Sequence, residues 1–225
     1  TIFTKQRGRI SASARGARRP KSRLAGGTQL LGYNDYVLFT GKELYSVNSC
    51  EVIESFYEIR NDIVKLTYAA HILDILLDTL QENQAAPRTL QLLLNSFHYL
   101  SKGDKDPALI ARIFELRYLA LAGYAPIVNC CAVCGKEANS YSFSFKHCGF
   151  ICGDTSCKTN DSYCREILPG TAMAIMHIVY SPISKLFKFS VSPEVLKELG
   201  YINRRYLRER LDKDYTKLDM LKKID

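Results

Sequence analysis

The sequence predicts an α+β chain: a small closed β-barrel at the N-terminus, then an α-helical bundle into which a cysteine-rich segment is inserted. Three observations lead there. Short alternating runs broken by glycine and turn residues fill residues 1–58. Apolar residues recur at helical spacing from Asn61 to Gly123 and again after Pro169, and seven of the eight cysteines lie between Cys130 and Cys164. A chain of 225 residues, 47% of them hydrophobic, can bury a sizeable core. No apolar run approaches the roughly eighteen residues of a membrane span, and Thr1 to Arg9 lacks the charged and apolar regions of a secretion signal. The chain starts at Thr1 and not at methionine, which points to residues further upstream.

Within the first region, Thr1 to Gln6 and Arg9 to Gly16 flank a turn at Gly8. The second run alternates, with Arg9, Ser11, Ser13 and Arg15 on one face and Ile10, Ala12 and Ala14 on the other. After the Gly26-Gly27 break, strands are expected at Thr28 to Tyr33, Tyr36 to Thr40, Leu44 to Val47 and Val52 to Tyr57. Five or six short strands joined by tight turns suit a closed barrel, which leaves few free edges.

The helical domain is expected at residues 59–126 and 165–225. Ile63, Leu66, Ala69, Ala70, Leu73, Leu77 and Leu80 form one stripe, with Asp62 placed to cap it. Further helices are expected from Arg88 to Leu100, Ala108 to Ala122, Pro169 to Tyr180 and Pro193 to Leu211. Ser192-Pro193-Glu194 is a cap followed by proline at the first helical position. Connections this short make an antiparallel bundle.

Charge is distributed unevenly. Lys5, Arg7, Arg9, Arg15, Arg18, Arg19, Lys21 and Arg23 precede the first acid, Asp35, and these eight cations account for the whole net charge of +8. A segment of one sign at one end of an otherwise balanced chain points to a polyanion. Nucleic acid leads; an anionic membrane surface and a solvated basic tail are the alternatives. Arg7, Arg9, Arg15, Arg18, Arg19, Lys21 and Arg23 are therefore the candidate DNA-binding residues, because cations on a Gly/Ser/Ala-rich backbone can approach phosphates closely. A second cluster, Arg204, Arg205, Arg208 and Arg210, is diluted by Glu209, Asp212 and Asp214 and reads equally well as an ion-paired helix face.

Residues 127–164 form the insert. Cys131-Ala-Val-Cys134-Gly135 places two thiolates on one tight turn, the spacing of half a tetrahedral zinc site. For the second half, Cys152 with Cys157 closes a C-x2-C-x17-C-x4-C pattern, while Cys148 with Cys152 offers C-x3-C and His147 competes. Clustering in one segment argues against a secreted disulfide scaffold and for a metal site in a reducing, cytoplasmic setting. Buried or redox-active cysteines without metal are the alternative, although no βαβ pattern surrounds the pair. A four-thiolate site is closed and stabilises structure without hydrolysis. None of His71, His98, His147 or His177 opens a catalytic zinc motif, and neither a phosphate-binding loop nor a G-x-S-x-G elbow occurs. The expectation is a protein that is not an enzyme.

Gly8-Arg9-Ile10 with Ala14-Arg15-Gly16-Ala17-Arg18-Arg19, then Ser22-Arg23-Leu24-Ala25-Gly26-Gly27, resembles the RecO family of bacterial DNA repair proteins. So do Leu121-Ala122-Gly123-Tyr124-Ala125-Pro126 and the tail Lys217-Leu218-Asp219-Met220-Leu221, so that the resemblance covers essentially the whole chain. It implies an N-terminal OB-fold whose opening strand precedes Thr1, a helical domain and a zinc finger. It also implies a nucleoid-associated recombination mediator that binds single- and double-stranded DNA and anneals complementary strands. Such a mediator works with RecR and helps RecA displace the single-stranded-DNA-binding protein. By resemblance the Zn2+ ligands are Cys131, Cys134, Cys152 and Cys157; the stretched second pair leaves Cys148 as the substitute for Cys157. The family grips the acidic, phenylalanine-ended tail of the single-stranded-DNA-binding protein, which needs an apolar pocket rimmed by cations. Arg204, Arg205, Tyr206 and Arg208 are the candidates for it. The competing function is a zinc-ribbon nucleic-acid-processing enzyme or nuclease subunit whose carboxylates form no recognisable motif.

Overall fold

The computed structural model describes residues 1–41, 44–137, 142–158 and 164–223. Within the insert, residues 138–141 and 159–163 lie outside the described residues. The chain divides into two compact units, Thr1–Gly103 and Asp104–Asp225.

In the first unit, β1 (Ile2–Thr4) and β2 (Gly8–Ile10) form an antiparallel hairpin. β3 (Ala12–Ser13) pairs in parallel with β5 (Tyr45–Glu54), and β4 (Tyr33–Phe39) pairs antiparallel with β5 on its other side. The strands thus form one two-stranded and one three-stranded sheet, and among the described residues no closed barrel forms. Two strand expectations also change. The runs expected at Leu44 to Val47 and Val52 to Tyr57 merge into the single strand β5, because Ser49 to Glu51 continue the ladder opposite Val37, Tyr36 and Asp35, with Asn48 at a bulge; the strand stops at Glu54, and Tyr57 already opens a helix. Thr28 to Tyr33 is mostly turn: the Gln29 amide donates to Gly26, the Gly32 amide donates to Gln29, and Leu31 adopts a left-handed conformation at φ 67°.

The helices of this unit are α1 (Tyr57–Arg60), α2 (Ile63–Thr79) and α3 (Pro87–Lys102). Asp62 caps α2 by accepting from the Val64 and Lys65 amides at 2.8 and 3.1 Å, which satisfies two of the first turn's orphan donors. Gly103 at φ 73° ends α3, a conformation in which glycine carries no Cβ penalty. Ile59, Ile72, Ile75, Leu92 and Leu100 are fully or almost fully buried and form the core of the unit, with Phe56 set edge-on to Phe97.

The second unit contains α4 (Pro107–Leu121), α6 (Pro169–Tyr180) and α8 (Pro193–Leu211), with the short helices α5 (Thr155–Lys158) and α7 (Ile183–Leu186) and a 3-10 turn at Lys217–Lys223. The Asp106 and Ser192 side chains cap α4 and α8, each followed by proline. From α4, the buried Glu115 carboxylate pairs with Arg112 at 3.0 Å and accepts from Asn203 of α8 at 3.1 Å. Arg117 reaches the last carbonyls of α6, at Ile178 and Val179. The insert adds an antiparallel sheet, β7 (Gly149–Ile151), β6 (Ser142–Ser144) and β8 (Cys164–Glu166), with β6 central. Phe143, Phe145 and Phe150 bury one side of it, and the Phe143 ring meets that of Tyr206 edge-on at 5.7 Å.

Candidate metal centre and nucleic-acid interface

Four cysteines converge in the insert. The sulfurs of Cys131, Cys134, Cys152 and Cys157 all lie within 4.8 Å of one another, and those of Cys134 and Cys152 are 3.7 Å apart. Cys131, Cys152 and Cys157 are buried with Ile151; Cys134 is exposed. The fold positions the two halves through the backbone. Gly135, at φ 74°, lets the turn close so that its amide donates to the Cys131 carbonyl and the Cys131 amide donates to Lys136. The Ala132 amide donates to Phe150, tying this knuckle to β7, and the Cys152 amide donates to the Cys131 sulfur at 3.3 Å.

The chain from Ile127 runs alongside Gly149, exchanging hydrogen bonds with Cys148 and Phe150. Cys148 itself turns away: its sulfur sits against the carbonyls of Phe145 and Lys146 at 3.7 and 3.9 Å. The Cys130 sulfur lies beside Asn129.

Burial opposes a thiolate at Cys131, yet the amides of Cys134, Cys152 and Val133 and the Cys134 thiol bring this thiol down to about 6. The Asp154 amide favours a thiolate at Cys152, but burial and the thiols of Cys157, Cys131 and Cys134 outweigh it and push this group up to about 12. Cys157 feels a lowering contact from Cys152, overcome by burial and by Cys134 and Cys131, and is raised as well. Four sulfurs this close do not carry four negative charges unaided; a cation among them removes the conflict. The cluster can hold one metal ion.

The cationic segment is an ordered ribbon of linked turns. Amide-to-carbonyl bonds run from Ala17 to Ala14, Arg19 to Gly16, Ser22 to Arg19, Ala25 to Ser22 and Thr28 to Leu24. Arg15, Arg18, Arg19, Lys21 and Arg23 are exposed on it, and among the described residues none has a salt-bridge partner. Lys21 sits at φ 61°, so the ribbon reverses there.

The two cations on the hairpin are placed differently. Arg7 is exposed but bonds the Tyr45 hydroxyl at 2.6 Å. Arg9 turns inward, donates to the Leu77 carbonyl at the end of α2 at 2.7 Å and lies 3.9 Å from Glu82, so its guanidinium serves the fold rather than the surface.

The candidate tail-binding cluster is dispersed. Tyr206 is buried, with its hydroxyl donating to the Tyr124 carbonyl at 3.1 Å. Arg204 holds Asp219 through two bonds of 2.8 and 3.0 Å and also pairs with Asp214, while Arg205 pairs with Glu209 at 2.8 Å and lies over the Phe145 ring. Arg208 is exposed. The ion-paired reading of this face is therefore what the geometry favours for Arg204 and Arg205.

Residues 1–56 match the family model described as Recombination protein O N terminal, and residues 60–219 match Recombination protein O C terminal. The chain belongs to the RecO family. Among curated relatives, the DNA repair protein RecO of Acetivibrio thermocellus is 55% identical over 226 residues, covering 100% of this chain and 89% of the relative. Those of Alkaliphilus metalliredigens and Caldicellulosiruptor saccharolyticus are 35% and 34% identical, covering 99% and 100% of this chain and 91% and 90% of the relatives.

In this RecO-family chain the matched regions meet near α1, whereas the compact units divide after α3. No helix is long and apolar enough to cross a membrane among the described residues. Sequence reasoning missed Asn34 and Tyr36, which donate to the Gly27 carbonyl, and Arg60, which donates to the Gln29 side chain and the Leu30 carbonyl, at the far end of the basic ribbon. Their only signal was polarity on a strand or at a helix end, and that signal is not specific.

Proposed function

We propose that this RecO-family chain is a DNA-binding recombination mediator without an active site. It binds single- and double-stranded DNA, anneals complementary strands, and acts with RecR to load RecA onto DNA coated by the single-stranded-DNA-binding protein. The observation that carries the DNA part is the ribbon from Arg15 to Arg23. Five exposed cations with no acidic partner among the described residues sit on a backbone already shaped by its own turns. Such a surface neutralises phosphates, releases their counterions and binds without sequence preference. The strands of the first unit are read as belonging to an OB-fold, and the working compartment as the cytoplasm around the nucleoid.

We assign zinc to the cysteine cluster. A tetrahedral zinc bonded to four sulfurs at about 2.3 Å sets them about 3.8 Å apart, close to the 3.7 Å between Cys134 and Cys152. Thiolates also favour zinc over hard cations. Bound there, zinc supplies charge neutralisation and cross-linking, with no open position for hydrolysis. The tail of the single-stranded-DNA-binding protein remains assigned to the second unit, with Arg208 as the cation exposed to meet it.

Strand annealing by the purified protein without divalent metal or nucleotide tests the mediator reading. Mg2+-dependent loss of labelled DNA would establish the nuclease alternative instead.

A further inference from the structure

The cationic ribbon begins at β3, held by the ladder to β5, and its other end is fixed at Gly27. The Gly27 carbonyl accepts from the Tyr36 hydroxyl at 2.5 Å and from the Asn34 amide at 3.2 Å. Burial pushes the Tyr36 hydroxyl up, against a smaller lowering by Asn34, so it remains a donor.

Gly27 is buried, and a Cβ there would stand 2.3 Å from the Cys50 sulfur and 2.7 Å from the Cys50 Cβ. Only a residue without a side chain lets this backbone lie on β5. Just beyond, Arg60 donates to the Gln29 side chain and to the Leu30 carbonyl. The bonds within the ribbon itself span two to four residues and fix only local shape. Between β3 and this attachment the ribbon meets the sheet only through long contacts of the Cys50 thiol with the Arg23 and Leu24 carbonyls, at 3.9 and 4.0 Å among the described residues, so the position of the cations relative to the sheet depends chiefly on Gly27.

We propose that Gly27, received by Tyr36, Asn34 and Cys50, is the positioning residue that sets how many ribbon cations reach DNA phosphates at once. The proposal rests on the DNA-binding reading of Arg15 to Arg23. Phosphates along a strand are spaced regularly, so cations meet several together only when their own spacing is held. Freed from Gly27, the ribbon keeps its charge but not the register that lets its cations bind simultaneously, and each phosphate then costs additional ordering entropy.

The test is fluorescence anisotropy of a labelled single-stranded oligonucleotide over a range of salt, using the full chain. Gly27→Ala is expected to weaken binding about tenfold and to flatten the slope of log affinity against log salt by about 0.7 for each phosphate that is no longer neutralised. Tyr36→Phe, which removes only the hydroxyl, should move both quantities the same way by a smaller amount. Cys50→Gly added to Gly27→Ala removes the two atoms that the new methyl meets, together with the long thiol contacts to the Arg23 and Leu24 carbonyls, and should move both quantities most of the way back to the parent. Parent affinity and slope in Gly27→Ala and Tyr36→Phe together overturn the proposal. If Gly27→Ala does not fold, Tyr36→Phe decides alone. Parent binding by Arg15→Ala/Arg18→Ala/Arg19→Ala/Lys21→Ala would instead overturn the DNA reading beneath it.

Discussion

Gly149 and Ile127 approach so closely that a Cβ on Gly149 would stand 2.1 Å from the Ile127 carbonyl oxygen and 2.9 Å from the Ile127 Cβ. This crossing brings the chain that carries Cys131 and Cys134 beside the strand that leads into Cys152. Gly149→Ala is expected to force the two apart, lowering metal content and the melting temperature of the second unit together. Parent metal stoichiometry and melting in that variant would separate the crossing from the cluster.

The zinc assignment predicts close to one Zn2+ per chain by elemental analysis. Cys131→Ser/Cys134→Ser should lose it, and with it the order of the insert, because the ion and the insert fold together. Cys148→Ser should keep the metal, since its sulfur bonds backbone carbonyls outside the cluster. Metal retention in the double variant, or loss in Cys148→Ser, would reassign the ligands.

Glu115 is fully buried and held by Arg112 and Asn203. Arg112→Ala leaves a buried carboxylate short of a cation and should destabilise the second unit by about 3 kcal/mol, the scale for breaking a buried pair. Asn203→Ala also frees the Arg112 carbonyl, bonded at 2.8 Å, and should cost about 2 kcal/mol. Urea titration followed by circular dichroism measures both.

Replacing Arg15, Arg18, Arg19 and Lys21 by alanine should weaken DNA binding about equally for unrelated sequences and flatten the salt slope by about 0.7 per phosphate on single strands. Arg9→Ala should act on stability instead, through the end of α2. A salt slope for Arg9→Ala as flat as that of the ribbon variants would place Arg9 on the DNA surface after all.

Helices are the legible part of this sequence because their signals are local. Asp62 and Ser192 announce the starts of α2 and α8, and proline follows Ser192, so these starts follow from a few neighbouring residues. The strands are harder. The sequence leaves Asn48 to Glu51 between two expected strands, yet they lie on one continuous strand with Asn48 at a bulge, and only the partner strand β4 reveals that.

The cysteine cluster is readable from spacing plus family resemblance, while its exclusion of Cys148 depends on where β6 and β7 turn. Tyr206 is expected to serve a tail-binding pocket among the arginines, but with Ile202 and Leu199 it lies on the buried side of α8. The pairing of Arg204 with Asp219 depends on the chain returning fifteen residues later.

The insert also bears on how the second unit assembles in time. Arg112 and Asn203 are 91 positions apart, a long loop for a chain to close by diffusion. Between them, β6 pairs with both β7 and β8, and Ile127 pairs with Gly149, so the finished insert draws its entry and exit strands into one small sheet. Formed before α4 and α8 meet, that local sheet would shorten the effective tether between them, as a lower contact order would. A chain refolding with its metal should therefore reach the native second unit faster than one refolding with a chelator, with the difference in the folding arm of the chevron.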